Sequence, residues 1–106
     1  MSKLNFAAID IGTNAARLLI KGIREDEQGK ELSKLLLLRV PLRLGQDVFT
    51  CGKISEKKEY QLIHLIKAFC ELMQVYHIHH YRACATSAMR DAENGTSIAE
   101  KIGKEC

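Results

Sequence analysis

The sequence predicts an α/β domain built on a mixed β-sheet. Its first 44 residues contain three apolar or alternating segments that suit strands, and the next long segment repeats apolar residues at helical spacing. A fourth short apolar run follows that helix. A strand reached through a helix joins its neighbour in parallel by a right-handed crossover, so the sheet should combine antiparallel and parallel pairs. The chain has 106 residues, which suits one domain with its own core.

The first three strands are expected to form an antiparallel meander. Leu4–Ile11 is apolar enough for a buried strand, and Ala15–Ile23 follows it after a link short enough for a hairpin. Leu32–Leu44 alternates apolar and polar residues, as a half-exposed strand does. Pro41 cannot donate a ladder hydrogen bond, which indicates that the third strand lies at an edge of the sheet.

A helical crossover to the fourth strand is predicted next. Gly45–Lys53 is interpreted as a loop, and Ser55 is a suitable N-cap for a helix over Glu56–His77. Apolar residues recur on one face of that helix at spacings of three and four. Tyr81–Ala85 is the fourth strand. The predicted order in the sheet is third, second, first, fourth.

The last segment is predicted to be helical in two pieces. Thr86–Glu93 is helical or turn-like, and Asn94 with Gly95 interrupts it. Ser97–Glu100 fits a capping box for a final short helix.

The bulk composition excludes several classes of protein. Hydrophobic residues make up 46% and charged residues 27%, which is ordinary for a folded domain and argues against disorder. The net charge of +3 is spread along the chain rather than gathered in a basic stripe, so nucleic acid is not an expected partner. A mild positive charge suits a small anionic ligand.

The predicted location is the cytoplasm. The N-terminal residues lack the apolar stretch of a signal peptide, and the longest aliphatic run, Leu35–Leu38, is far too short to cross a membrane. The four cysteines include no CxxC pair and are interpreted as reduced thiols.

The first candidate site is the turn Asp10–Asn14 after the first strand. Gly12 lets another group approach the backbone closely, Thr13 and Asn14 add polar side chains, and successive N–H groups of such a turn can bind an anion. The carboxylate of Asp10 would repel phosphate directly, so it fits only with a bridging Mg²⁺ or a positioned water. Asp, Gly and Asn are also common turn residues, and a plain hairpin is the alternative.

The second candidate site follows the fourth strand at Thr86, Ser87 and Arg90. Two hydroxyls end the strand, an arginine comes one helical turn later, and a helix beginning here would direct free N–H groups toward the carboxyl end of the strand. A capped helix with a surface arginine is the alternative. If the first and fourth strands are neighbours, both candidate sites share the edge where open α/β sheets bind ligands.

Two other patterns carry less weight. Gly45 to Lys53 superficially resembles a P-loop, but six residues separate its glycines and Ile54 follows the lysine. The histidines at 77, 79 and 80 lie near Cys84 without the helical pairing of a zinc site.

Three sequence blocks, in order, resemble the exopolyphosphatase / guanosine pentaphosphate phosphohydrolase (Ppx/GppA) family. The first is Asp10–Asn14 with Arg17, which is similar to the phosphate signature of that family. The second is Val40–Gly45 with Gly52–Ser55, and the third is Ala85–Gly95. The resemblance runs from about Phe6 to the end of the chain, with the three blocks in order.

This resemblance implies an actin-like, ribonuclease-H-like sheet and the hydrolysis of a terminal phosphate from polyphosphate or guanosine pentaphosphate with Mg²⁺. It implies that Asp10 organises the metal and the phosphate. Ala15 stands where many family members have serine, and Arg17 is the least specific match because members vary there. The implied phosphate-binding set is Gly12, Thr13, Asn14, Arg17, Thr86, Ser87 and Arg90.

The resemblance also implies that the chain is the N-terminal part of a phosphate-binding domain. Family members are several-fold longer, and their catalytic glutamate, second phosphate motif and second domain would lie beyond Cys106. No general base is therefore assigned here, and the chain alone is expected to be inactive. The unpaired edge of Tyr81–Ala85 predicts a homodimer. The alternatives are a phosphate-binding module without catalysis, or part of another actin-like ATPase or sugar kinase.

Overall fold

The structure is a computed structural model that describes residues 2–27 and 29–105. The elements follow the predicted order, with one additional helix, α1, before the long crossover helix. They are β1 (Ser2–Ile11), β2 (Ala16–Asp26), β3 (Gly29–Val40), α1 (Leu44–Cys51), α2 (Glu56–Val75), β4 (Tyr81–Ala85), α3 (Ser87–Asp91) and α4 (Gly95–Glu105).

The four strands form one mixed sheet in the order β3-β2-β1-β4. β1 pairs antiparallel with β2 and parallel with β4, and β2 pairs antiparallel with β3. Ile9 lies opposite Leu18 on one side and opposite Ala83 on the other. The predicted strand order and the parallel fourth strand are confirmed, and β1 is a central strand with neighbours of both kinds.

The hydrophobic core lies between one face of the sheet and the helices. Alternate side chains in the middle of β1 and β2 are buried on that face, because the period of a strand is two: Ala7, Ile9, Ile11, Ala16, Leu18 and Ile20. Burying each large apolar side chain contributes about 1.5–3 kcal/mol. The largest fully buried side chains are Leu18, Ile20, Leu44, Ile54, Leu62, Ile66, Phe69 and Ile98.

Helix α2 covers the core with one apolar stripe. Its buried residues are Leu62, Ile66, Phe69 and Met73, at the spacing of a single helical face. The Ser55 side chain accepts a hydrogen bond from the Lys58 N–H at 3.3 Å, as an N-cap does. The helix ends two residues before the predicted boundary. There the His77 backbone takes a positive φ of 55°, and the Ile78 N–H donates back to the Met73 carbonyl.

The predicted end of the third strand and the predicted loop after it are both wrong. β3 ends at Val40, because Pro41 has no N–H to continue the ladder. Helix α1 is formed by Leu44, which was predicted to end the strand, and by residues 45–51, which were predicted to lie in a loop. The helix buries Leu44 and Val48, and Gly52 caps its end with a φ of 75° and an N–H that donates to the Val48 carbonyl at 2.8 Å.

The predicted break at Asn94 between two helical pieces is confirmed, but Gly95 already belongs to the last helix, which starts before its predicted capping box. The Asn94 side chain accepts from the Ile54 N–H at 3.0 Å and donates to the Ile54 carbonyl at 2.8 Å. Gly95 then begins α4, where a Cβ atom would overlap the carbonyl of Met89. The close approach of α3 and α4 therefore requires glycine at this position.

The cysteines only partly follow the prediction of four reduced thiols. Cys51 and Cys84 are free, but Cys70 is disulfide-bonded, so the prediction is wrong for that residue. Cys106 lies outside the described residues. Sequence spacing did not reveal the bond because a disulfide depends on proximity in space. Within residues 2–27 and 29–105, no helix has the length and apolar character needed to cross a membrane.

A polar contact joins α1 to the start of α2. The Asp47 carboxylate accepts from the Ser55 N–H at 3.0 Å and lies 3.1 Å from the Lys58 ammonium. The Lys58 ammonium also donates to the Arg43 carbonyl at 2.8 Å. The backbone N–H of Ser55, followed by the Ser55 hydroxyl and Lys58, holds the pKa of Asp47 below its ordinary value.

The lowered pKa gives a pH-dependent prediction. The stabilising effect of Asp47 is present above the unfolded pKa of about 3.9 and is lost as the pH falls through the lower folded pKa. We expect Asp47→Asn to reduce the free energy of unfolding by about 1 kcal/mol near neutral pH. Urea unfolding of both proteins between about pH 7 and pH 3 should show this deficit shrink at the acidic end.

Glu71→Gln is the control, because Glu71 is exposed on α2 and has no hydrogen bond or ion pair with any residue the structure describes. It removes the same charge and should leave the free energy of unfolding nearly unchanged. A deficit in Asp47→Asn that stays constant across the pH series would contradict the assignment.

Candidate functional site

A short backbone hydrogen bond closes the turn between β1 and β2. The Gly12 N–H donates to the Ala15 carbonyl at 2.8 Å, and a Cβ atom on residue 12 would lie only 3.0 Å from that oxygen. Asn14 is exposed and Thr13 is half-buried. Ala15 is buried, so the hydroxyl of a serine at this position would be shielded from solvent. The turn therefore presents Thr13 and Asn14 on a tightly constrained backbone.

Thr86 lies against this turn. The Thr86 N–H donates to the Ile11 carbonyl at 3.0 Å, and its hydroxyl lies 3.3 Å from the same oxygen. A Cβ atom on Gly12 would be 3.9 Å from that hydroxyl, which is van der Waals distance. The structure thus brings the first and second predicted motifs together at the carboxyl end of β1 and β4.

Ser87, Arg90 and Asp91 are the exposed residues of the short helix α3. Thr86 precedes the helix, and its carbonyl accepts from the N–H groups of Met89 and Arg90 at 3.1 and 3.3 Å. Among the described residues, the side chains of Ser87 and Arg90 have no hydrogen-bond or ionic partner. The guanidinium of Arg90 is therefore free to bind an anion.

Asp10 and Arg17 lie in one row across the sheet. Asp10 is directly opposite Arg17, and Arg17 is directly opposite Arg39, so the three residues share the sheet face away from the core. Asp10 is half-buried, while both arginines are exposed. Within the described ranges none of the three side chains forms a hydrogen bond or an ion pair. The carboxylate of Asp10 thus keeps its oxygens available.

The start of α1 holds the turn from the other side, which sequence reasoning missed. The Arg43 N–H donates to the Asn14 carbonyl and the Gly45 N–H to the Thr13 carbonyl, both at 2.9 Å. A Cβ atom on Gly45 would overlap the Cγ2 of Thr13. Gly45 therefore lets α1 pack directly on the turn. The sequence feature that could have predicted α1 is Gly52, because glycine is common directly after the last residue of a helix.

Arg43 lies outside β3, although the predicted third strand Leu32–Leu44 included it. It precedes α1 with a φ of 55°, a left-handed conformation that is uncommon for residues other than glycine. Hydrogen bonds from its N–H and to its carbonyl keep the backbone in this conformation. The result is an exposed arginine beside Asn14.

The end of the sheet that carries the turn is rich in positive charge. It is formed by residues 10–17, 39–46 and 84–90, which contain Arg17, Arg39, Arg43 and Arg90 but only one acidic residue, Asp10. In residues 2–27 and 29–105 no three His, Cys, Asp or Glu side chains are grouped to hold a metal ion. The arrangement suits an anion, with one carboxylate left for a cation that the anion would also bind.

Comparison with known proteins identifies the family. Residues 23–106 match the sequence model of the Ppx/GppA phosphatase family. The chain belongs to this family. Exopolyphosphatase 1 of Mycobacterium tuberculosis is 28% identical over 102 residues, which covers 96% of this chain. Exopolyphosphatase 2 of the same organism is 33% identical over 94 residues, which covers 89% of it.

Solved structures of Ppx/GppA proteins have the same fold. The structure of the Aquifex aeolicus family member superposes with a TM-score of 0.89 at 28% identity, over 98% of this chain and 33% of that one. The fold is therefore the actin-like, ribonuclease-H-like α/β fold of this family, as expected. The chain spans 29% and 30% of the lengths of the two exopolyphosphatases.

The contact between Gly45 and Thr13 gives a prediction about the turn. In Gly45→Ala the new methyl group overlaps the Thr13 side chain, and we expect a loss of about 1–3 kcal/mol in the free energy of unfolding. NMR signals of Gly12, Thr13 and Asn14 should shift in the same variant. Urea unfolding and an amide spectrum measure the two effects.

Two further variants make this test specific. Thr13→Ser removes the overlapped methyl group, so adding it to Gly45→Ala should restore most of the lost stability. Gly103→Ala in α4 meets open space and should be neutral or slightly stabilising. The packing explanation fails if the double variant is no more stable than Gly45→Ala alone.

Proposed function

We propose that this chain supplies the phosphate-binding part of a Mg²⁺-dependent phosphohydrolase that removes a terminal phosphate from polyphosphate or guanosine pentaphosphate. Membership of the Ppx/GppA phosphatase family supports the phosphohydrolase class. The observation that carries the proposal is the hydrogen bond from the Thr86 N–H to the Ile11 carbonyl. Because of that bond, two polar motifs far apart in the sequence lie side by side at one edge of the sheet.

Phosphate binding at this edge would use the backbone and the unpaired cations. The Gly12 N–H is engaged by the Ala15 carbonyl, so the turn would contribute the N–H groups and side chains of Thr13 and Asn14. Thr86 and Ser87 would contribute hydroxyls. Arg17 and Arg90 supply positive charge with no competing acidic partner in the part of the chain that the structure describes. Charge-assisted hydrogen bonds of this kind are about twice as strong as neutral ones.

The carboxylate of Asp10 fits a magnesium ion shared with phosphate. Mg²⁺ is commonly held by one or two carboxylates together with substrate phosphate oxygens and water. Asp10 is half-buried and has no hydrogen-bond or ionic partner among the described residues, so its oxygens are available for this role. When bound there, the ion would neutralise charge on the phosphate that Asp10 would otherwise repel.

These 106 residues are proposed to bind phosphate without hydrolysing it. Attack by water on a terminal phosphate needs a group that positions or deprotonates the water, as well as groups that clamp the phosphate. Asp10, the single acidic residue in residues 10–17, 39–46 and 84–90, is assigned to the metal. Asp91 and Glu93 are exposed and poorly suited to act as a poised base.

Other interpretations carry less support. The family match argues against a sugar kinase or another actin-like ATPase. A cytoplasmic location stays a prediction. A homodimer also stays a prediction, motivated by β4, whose five residues are all exposed at the edge of the sheet.

The first test of the proposal is phosphate binding by Arg90 variants. Arg90→Ala removes a charge-assisted contact worth about 1.5–3 kcal/mol, so phosphate binding should weaken by roughly tenfold to a hundredfold. An NMR titration of the purified chain gives the affinity and the location of the shifts. Arg82→Ala, which removes an exposed arginine of β4, should change the affinity little. Shifts confined to residues 77–80 would overturn the proposed site.

The second test is phosphate release. We expect no Mg²⁺-dependent release of phosphate from polyphosphate or guanosine pentaphosphate by the 106-residue chain, measured with a coupled phosphate assay. Asp10→Asn serves as the control for a contaminating phosphatase. Release that is present in the original chain and abolished by Asp10→Asn would show that these residues are catalytic on their own.

A further inference from the structure

Helix α1 leaves one large apolar side chain, that of Phe49, in solvent. The side chain is 81% exposed, more than that of any other large hydrophobic residue that the structure describes. The apolar side of the same helix is already formed by Leu44 and Val48, which are buried in the core. A single exposed apolar residue needs no explanation by itself. The position of Phe49 relative to the turn between β1 and β2 is what indicates a role.

The Phe49 ring lies on the face of α1 that packs on this turn. A Cβ atom on Gly45 would overlap the Cγ2 of Thr13 and would lie 3.5 Å from the Cε2 of Phe49. Gly45 and Phe49 are four residues apart in the helix, so they are neighbours on one side of it. The ring therefore lies one helical turn beyond the contact between α1 and Thr13, beside the proposed phosphate site.

Two backbone hydrogen bonds fix α1 relative to the turn. The Arg43 N–H donates to the Asn14 carbonyl and the Gly45 N–H to the Thr13 carbonyl, both at 2.9 Å. A side chain on an element that is already fixed needs no ordering of the backbone when a ligand binds, so less of the binding free energy is lost. Phe49 is thus a ring at a defined place rather than one on a loose loop.

The charges next to the ring favour a ligand that is both aromatic and anionic. Arg43 precedes α1 and Lys53 follows it, and both are exposed. Asp47 is the single acidic residue of α1, and its carboxylate is engaged by the Ser55 N–H and the Lys58 ammonium. An uncharged apolar ligand on the ring would leave the two exposed cations without a counter-charge.

We propose that Phe49 is a platform on which a nucleobase stacks, so that this chain binds nucleoside polyphosphates more tightly than inorganic polyphosphates of the same length. An aromatic side chain stacks on any base, because every base has a π-face. Of the two ligand classes in the proposed function, the nucleotide carries such a base and inorganic polyphosphate does not. The inference rests on the proposed phosphate site and adds a choice between its two classes of ligand.

The test compares guanosine triphosphate with inorganic tripolyphosphate, because both carry three linked phosphates and only the first has a base. Calorimetry on the 106-residue protein at a fixed Mg²⁺ concentration gives both affinities. Phe49→Ala should weaken binding of guanosine triphosphate roughly tenfold and leave binding of tripolyphosphate unchanged. The matched control is Tyr60→Ala, which removes an exposed aromatic side chain of α2 and should leave both affinities unchanged.

Two further substitutions separate stacking from simple apolar contact. Phe49→Trp keeps an aromatic face and should retain binding of guanosine triphosphate. Phe49→Leu keeps the apolar bulk without a ring and should behave like Phe49→Ala. If Phe49→Leu binds guanosine triphosphate as tightly as the original chain, stacking is not the cause. Urea unfolding establishes that each variant is folded.

The outcomes distinguish the base platform from the proposed function. If Phe49→Ala weakens both ligands by the same factor, or neither, the platform is wrong while the phosphate site stands. If orthophosphate leaves the NMR signals of Thr13 and Asn14 unshifted but binding of guanosine triphosphate still depends on Phe49, the proposed function fails and the platform stands.

One measurement on the unmodified chain does not depend on any variant. Guanosine triphosphate should shift the ring proton signals of Phe49, because a stacked base places its ring current on them, and tripolyphosphate should leave them in place. Ring signals of Phe49 that do not respond to guanosine triphosphate overturn the inference whatever the variants do.

Discussion

The hydrogen bond from the Thr86 N–H to the Ile11 carbonyl is the contact on which the candidate site depends. It extends the parallel pairing of β1 and β4 by one residue. Thr86 therefore lies beside Gly12, and α3 begins after it. The bond joins positions 75 residues apart. It exists because β1 is central in the sheet and pairs with both β2 and β4. If the fourth strand lay beside β3 instead, β1 and β4 would be at opposite edges of the sheet, and the two motifs would be far apart.

Two residues with special backbone requirements, Arg43 and Gly45, hold α1 against the same edge. Arg43 adopts a left-handed conformation, which costs roughly 1–3 kcal/mol for a residue other than glycine. Its N–H bonds to the turn and its carbonyl to Lys58, and these contacts offset that cost. Gly45 then brings α1 against Thr13. If the turn binds phosphate as proposed, its fixed backbone would lose less entropy on binding, which favours affinity.

Much of this arrangement could be predicted from the sequence, because its strands and its long helix have clear periodicity. Alternation in β1 to β3 and the stripe of α2 gave the sheet order, and that order implied that Asp10 and Thr86 are close. The helix α1 was missed because its eight residues bury only Leu44, Gly45 and Val48, too few for a recognisable stripe. The contacts of Gly45 and Asn94 were missed because they depend on which residues meet in space.

The charged side chains of the described residues are arranged differently where helices meet and at the carboxyl edge of the sheet. Where helices meet, charges are paired: Lys58 with Asp47, and Lys101 with Glu59 at 2.7 Å. At the carboxyl edge of the sheet, arginines outnumber the single aspartate and have no partner within the described ranges. Unpaired like charges at neighbouring positions reduce stability, by roughly 0.2–1 kcal/mol for a facing pair. An anion bound at this edge, as proposed above, would supply the missing counter-charge and so stabilise the folded state.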